Sequence, residues 1–147
     1  MNGDELLDSL ASLRRAIRRT AGRPSELATL TGAQLELVRL LRRRPGLSVA
    51  DAARELSVAP NTISTLVRQL GDAGFIARQV DSADRRVARL ELTPAIRAKV
   101  EAWRDRRVET IDAALAGLSQ LDRRRLESAL PTLERLIGEL ERAQGAA

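Results

Sequence analysis

The sequence predicts a mainly α-helical fold with one small β-hairpin, a winged helix-turn-helix carrying helical extensions at both ends. Three observations predict it. Residues 48–70 hold two short amphipathic helical patterns separated by a break at Ser57-Val58. Residues 75–92 hold two strand-like runs around a polar tip, Asp81 to Arg86. The flanking segments, 4–20 and 95–142, repeat apolar residues every three to four positions. The expected division is a helical dimerisation region over residues 1–30 and 93–147, enclosing a winged helix-turn-helix DNA-binding region over residues 31–92.

Composition sets the bounds. A chain of 147 residues suits one compact domain with helical extensions. Hydrophobic residues make up 44%, yet Phe75 and Trp103 are the only aromatics, so the core must be aliphatic. The net charge of +5 permits a polyanionic partner. Lys99 is the single lysine, and compositional bias towards Ala, Arg and Gly explains that ratio; the positions of the arginines carry more meaning than their number. There is no Cys and no His, which excludes Cys/His zinc sites, thiol redox sensing and a Ser–His–Asp triad. No pair of titratable residues stands at reactive spacing, so neither an enzyme nor a cofactor is expected. No apolar run approaches 18 residues, and Asp4, Glu5 and Asp8 make the N-terminus acidic. The expectation is a protein without membrane span or signal peptide, hence cytoplasmic.

Leu6, Leu7, Leu10, Leu13 and Ile17 form an apolar stripe on a helix over residues 4–20, opposite Arg14, Arg15, Arg18 and Arg19. Acidic residues open this helix and basic ones close it, as the helix dipole favours. The stripe needs covering, by the chain's own domain or by a second subunit, and the pattern alone does not choose. Gly22 and Pro24 stop the helix, and residues 21–30 read as a linker with one loose turn. Thr31 and Gln34 make a capping box for a helix to about Arg44, with Leu35, Leu37, Val38 and Leu41 inward. Arg42-Arg43-Arg44 is either a solvated charge cluster or a contact to a DNA backbone; Pro45-Gly46 then punctuates the chain.

Leu47 to Val49 is expected to pair briefly with the wing, and Ser48 and Asp51 to cap the next helix. Ala50, Ala53 and Leu56 are its expected buried face, with Val58 filling the angle to the second helix. Pro60 suits the first position of that second helix, where a missing N–H costs nothing. Ile63, Leu66, Val67 and Leu70 face the core, while Asn61, Thr62, Ser64, Thr65, Arg68 and Gln69 occupy the other face. Asn and Gln read adenine edges, and Ser, Thr and Arg bond to bases or phosphates. An isolated amphipathic helix with a solvated polar face would look the same; the turn before it and the hairpin after it favour base reading. Gly74 ends the helix in a left-handed conformation, and Phe75 and Ile76 anchor the hairpin. Arg85 and Arg86 at the tip project towards a minor groove or its phosphates, with Arg86 preferred. Asp84 beside incoming DNA is unfavourable unless paired, so it positions an arginine. A plain solvated hairpin would have a similar tip.

Thr93 and Pro94 start a long helix through Ile96, Val100, Trp103, Val108, Ile111, Ala114 and Leu115. Some 23 residues span roughly 35 Å. Trp103 is either core or the wall of a small-molecule cavity between the two regions. Gly117-Leu118 breaks the chain, Ser119 and Asp122 cap a last helix, and Leu121, Leu126, Leu130, Leu133, Leu136, Ile137 and Leu140 stripe it. Pro131 predicts a kink or short interruption, and Ala143 to Ala147 a frayed tail. A two-fold dimer of such chains would set two reading helices about 34 Å apart on an imperfectly palindromic site.

Over residues 5–142 the sequence resembles the MarR family of bacterial transcription regulators. Leu30-Thr31-Gly32-Ala33-Gln34, Val58 to Leu70 with Gly74-Phe75-Ile76, Asp84-Arg85-Arg86 and Leu92-Thr93 carry the resemblance. It implies that residues Pro60 to Ala73 enter the major groove, that Arg86 approaches the minor groove beside Asp84, and that the terminal helices form a homodimer. It also implies repression relieved by a small aromatic or phenolic effector, with Trp103 the candidate pocket residue. The family's Gly after the Leu-Thr pair is Ile96 here, which alters packing at that junction. The expected function is a sequence-specific double-stranded DNA-binding regulator acting as a repressor. Two other readings stay open: a nonspecific DNA-organising protein, and a winged-helix protein–protein module.

Overall fold

The computed structural model describes residues 1–145. Seven helices and one hairpin follow one another: α1 Gly3–Thr20, α2 Ser25–Ala28, α3 Gly32–Arg43, α4 Val49–Glu55, α5 Pro60–Asp72, β1 Ile76–Val80, β2 Ala88–Leu92, α6 Pro94–Ala116 and α7 Gln120–Gly145. The fold is mainly helical with one antiparallel hairpin, as the sequence predicts. Two compact units divide it, Met1–Arg107 and a second beginning at Val108.

Local chemistry sets most of the helix starts. Asn2 accepts the Glu5 N–H at 2.9 Å and Glu5 returns the bond, a capping box that the sequence reading missed. Thr31 and Gln34 form the predicted box on α3, and the Ser48 hydroxyl accepts the Asp51 N–H on α4 at 3.1 Å. Ser119 does the same for Asp122 ahead of α7.

The core lies in the first unit and centres on α3. Leu37, Val38 and Leu41 are fully enclosed, and Leu40, not expected inside, is buried with them. A central helix has neighbours on more than one side, so its apolar stripe is wider than a surface helix shows. The expected linker also changes character. Residues 25–28 form a short helix with Leu27 fully buried, and Glu26 pairs with Lys99 of α6. The buried face of α4 is Ala52 and Ala53 with Val49 and Leu56 packed against the core, and Ala50 is exposed. The stripe is in register with Val49, at spacings of three, one and three, rather than with Ala50.

Between α4 and α5, Ser57 takes φ of 53°, the one non-glycine residue with positive φ among the described residues. This reverses the chain and turns Val58 outward, so Val58 does not fill the inter-helix angle; it is 40% exposed. A left-handed L-residue costs about 1–2 kcal/mol. Ser57→Gly is therefore expected to raise stability by about 0.5–1 kcal/mol after its larger unfolded-state entropy is counted. Chemical denaturation measures this, and a destabilised variant would show that the serine side chain supports the turn.

Gly74, at φ +77°, ends the α5 segment as predicted. Phe75 and Ile76 are buried, and β1 pairs with β2 in the register Ile76↔Leu92 to Val80↔Ala88. Leu47 adds a single bridge to Leu90 on the other edge of β2. The Thr93 hydroxyl donates to the Gly74 carbonyl at 2.8 Å, tying the foot of the hairpin to the start of α6. Ile96, Val100 and Trp103 close the core from α6. The Trp103 Nε1–H donates to the carbonyls of Ala21, at 3.2 Å, and Gly22.

In the second unit, α7 runs unbroken through Pro131, so of the kink or short interruption expected there the interruption is absent. Proline removes one donor from the helical ladder, and a helix this long retains the bonds on either side. Of the tail expected to fray, Ala143 to Gly145 are helical, and Ala146 and Ala147 lie outside the described residues.

Candidate nucleic-acid interface

The polar face of α5 is built by its apolar one. Ile63, Val67 and Leu70 are buried and Leu66 half-buried, which leaves Pro60, Asn61, Thr62, Ser64, Thr65, Arg68 and Gln69 exposed on the remaining arc. Two of these side chains are engaged. Thr65 donates its hydroxyl to the Asn61 carbonyl at 3.1 Å, and Gln69 accepts from the Gln34 amide of α3 at 3.1 Å. Among the described residues the side chains of Asn61, Thr62, Ser64 and Arg68 make no internal hydrogen bond.

The start of α5 differs from those of α1, α3, α4 and α7. Its N-cap is Ala59, with no side-chain cap, and Pro60 follows. Thr62 and Ile63 bond back to the Ala59 carbonyl, while the Asn61 N–H has no acceptor among the described residues. The positive end of the helix dipole thus lies open beside the polar arc.

The wing tip is ordered by its two aspartates. Asp84 Oδ1 accepts the backbone N–H of Arg86 at 3.0 Å and its Nε at 3.4 Å, leaving the rest of the Arg86 side chain 92% exposed. Arg85 is exposed next to it. Asp81, which the sequence did not single out, does more. One of its oxygens accepts the N–H groups of Ala83 and Asp84 at 2.7 and 3.1 Å, and the other meets Arg89 Nε at 2.5 Å. The Arg89 guanidinium beside Asp81, helped by those two backbone N–H groups, holds its carboxyl below the usual value. Arg89 also donates to the Gly46 carbonyl at 3.4 Å, which joins the tip to the turn after α3. Arg89 is thereby a frame residue of the wing. Of the Arg42–Arg44 cluster, Arg42 pairs with Glu101 at 3.6 Å and Arg44 with Glu55, and only Arg43 remains unengaged.

Trp103 stands apart from this surface. It is buried and lines a cavity of about 320 Å³ within the first unit. The guanidinium carbons of Arg39 and Arg107 lie 5.4 and 5.1 Å from its ring centroid.

An exposed polar helix behind a tight turn, followed by an arginine-tipped hairpin, defines a winged helix-turn-helix protein. Residues 30–88 match the MarR family. The chain is 39% identical over 69 residues to the HTH-type transcriptional repressor Rv2887 of Mycobacterium tuberculosis, a match over 47% of this chain and 50% of that protein. The chain thus matches half the length of that relative. Among solved structures, FabT of Streptococcus pneumoniae in complex with DNA superposes with a TM-score of 0.79 at 21% identity, over 93% of this chain and 96% of that one. A MarR-like transcriptional regulator of Thermotoga maritima gives 0.77 at 18% identity, over 96% and 98%. These likenesses establish the fold. Among the described residues no helix is long and apolar enough to cross a membrane.

Proposed function

We propose that the protein is a sequence-specific, double-stranded DNA-binding transcription regulator, a cytoplasmic repressor acting as a homodimer on an imperfect palindrome. The observation that carries this reading is the exposed arc of α5, where Asn61, Thr62, Ser64 and Arg68 are uncommitted and the helix start is uncapped. Base edges would occupy the side chains, and a phosphate would satisfy the Asn61 N–H. Arg86, braced by Asp84, and Arg85 would meet the adjacent minor groove or its backbone. FabT, which is similar in fold, is solved in complex with DNA, and this favours DNA as the partner of this chain.

The homodimer is supported by apolar residues the chain leaves uncovered. On α1, Leu7, Leu10 and Leu13 are exposed, and on α7 so are Leu121, Leu126, Leu130, Leu133, Ile137 and Leu140. Contiguous stripes of this kind mark association surfaces, and a second copy brings the same stripes. The cavity beside Trp103 supports release by a small-molecule effector.

Selection of genomic fragments by the purified protein, read by sequencing, tests the reading: a recovered palindrome is expected. On that operator, Arg86→Ala should weaken operator and scrambled DNA alike and lower the salt slope by about one. Asn61→Ala and Arg68→Ala should cost about 1–3 kcal/mol on the operator and relax preference at particular base pairs. Equal affinity and equal salt dependence for both DNAs in the unaltered protein would instead mark a nonspecific DNA-organising protein.

A further inference from the structure

The cavity beside Trp103 has a charge that effector release alone does not require. Arg14, Arg18, Arg23, Arg39 and Arg107 all line it, against one carboxylate, Glu36. Glu36 is taken by Arg39 at 3.0 Å. Among the described residues Arg14, Arg18, Arg23 and Arg107 have no carboxylate within ion-pair distance. Burial, and after it the nearby charges of Arg39 and Arg23, push the Arg107 guanidinium below its ordinary value.

Trp103 is poorly placed to stack on an aromatic guest. Its ring is 5% exposed and already carries two guanidiniums, and its N–H is spent on the Ala21 and Gly22 carbonyls. It serves better as a post that fixes Arg39 and Arg107. A ligand with a single charge would leave most of the surplus uncompensated. Two or more anionic groups would each find a planar fork suited to phosphate or carboxylate.

We propose that this cavity binds a multivalent anion bearing two or more phosphate or carboxylate groups. Such an anion is the effector that releases DNA, a second step that rests on the DNA-binding reading above.

The test uses the full chain and its single tryptophan. Pyrophosphate, citrate and benzoate are titrated at constant ionic strength, followed by Trp103 emission and by calorimetry. Saturable binding of pyrophosphate or citrate is expected, at least tenfold tighter than benzoate, and the arm that responds identifies the phosphate or the carboxylate source. Arg107→Gln and Arg14→Gln should each weaken it about tenfold; Arg124→Gln on α7, outside the lining, should not. Benzoate binding as tightly, silence of both anions in both measurements, or equal loss in Arg124→Gln would overturn the site. So would Arg107→Gln dissociating a dimer with anion binding unchanged, since a carboxylate of a second copy would then fill the cavity. The responding anion, added to the operator complex, should release it from the unaltered protein and not from Arg107→Gln. Binding without release overturns the effector step alone. Absence of any selected operator overturns the DNA-binding reading and leaves the anion site standing on its own titration.

Discussion

Leu27→Ala is expected to destabilise the protein by about 2–5 kcal/mol, as fully buried leucines do when truncated. The size follows from where the side chain sits. Leu27 has no accessible surface, although it belongs to a four-residue helix between two chain-breaking signals. Removing it leaves a void in the core, and the pairing of Glu26 with Lys99 of α6 limits how far α2 can shift to fill it. The measurement is a denaturant titration with the midpoint lowered and the slope unchanged. A change within about 0.5 kcal/mol, typical of a surface position, would mean that residues 25–28 are the loose linker their composition suggests.

Ala59→Asp is expected to move stability and DNA affinity in opposite directions. An aspartate at the N-cap of α5 would accept the N–H of Asn61 or Thr62 and stabilise the fold by about 0.5–2 kcal/mol. The same carboxylate would occupy the donors proposed for phosphate and add a negative charge at the helix start. Affinity for the operator should fall tenfold or more, about 1.4 kcal/mol. Ala59→Ser caps without charge, so it should stabilise similarly and weaken DNA binding less. Thermal melting and a salt series on the operator read both effects. Retained affinity in Ala59→Asp would remove the start of α5 from the proposed interface.

The parts of the fold legible in the sequence are those written in short-range chemistry. Thr31 with Gln34 and Ser48 with Asp51 are bonded three residues apart, so their spacing alone announces them. The two faces of α5 follow from its 3.6-residue period. Most contacts between distant segments were illegible; the pairing of Leu47 with the wing is the exception. Nothing local marks Leu27 as core, because one turn of helix has no period to read. Ala50 and Ala52 are chemically identical, and only the register of α4 on its neighbours separates them. Two aspartates flank the wing tip, and the one with the wider set of bonds, Asp81, is distinguished by Arg89 eight residues on and by Gly46 across the fold. The arginines around Trp103 come from α1, the segment after it, α3 and α6, so no stretch of sequence contains the cavity.

The single bridge between Leu47 and Leu90 is expected to set when the wing folds and opens. A lone two-stranded hairpin is marginal in water. The strands of the wing can meet early, since a short tip joins them. They are expected to hold once Leu90 closes on Leu47, which brings together the ends of a segment that contains α4 and α5. The wing is then a late structure in folding and the first to be released when the helical core loosens. Amide hydrogen exchange is expected to be fast, as in local fraying, at its tip and slow, as in the core, at Leu90, whose N–H donates to the Leu47 carbonyl.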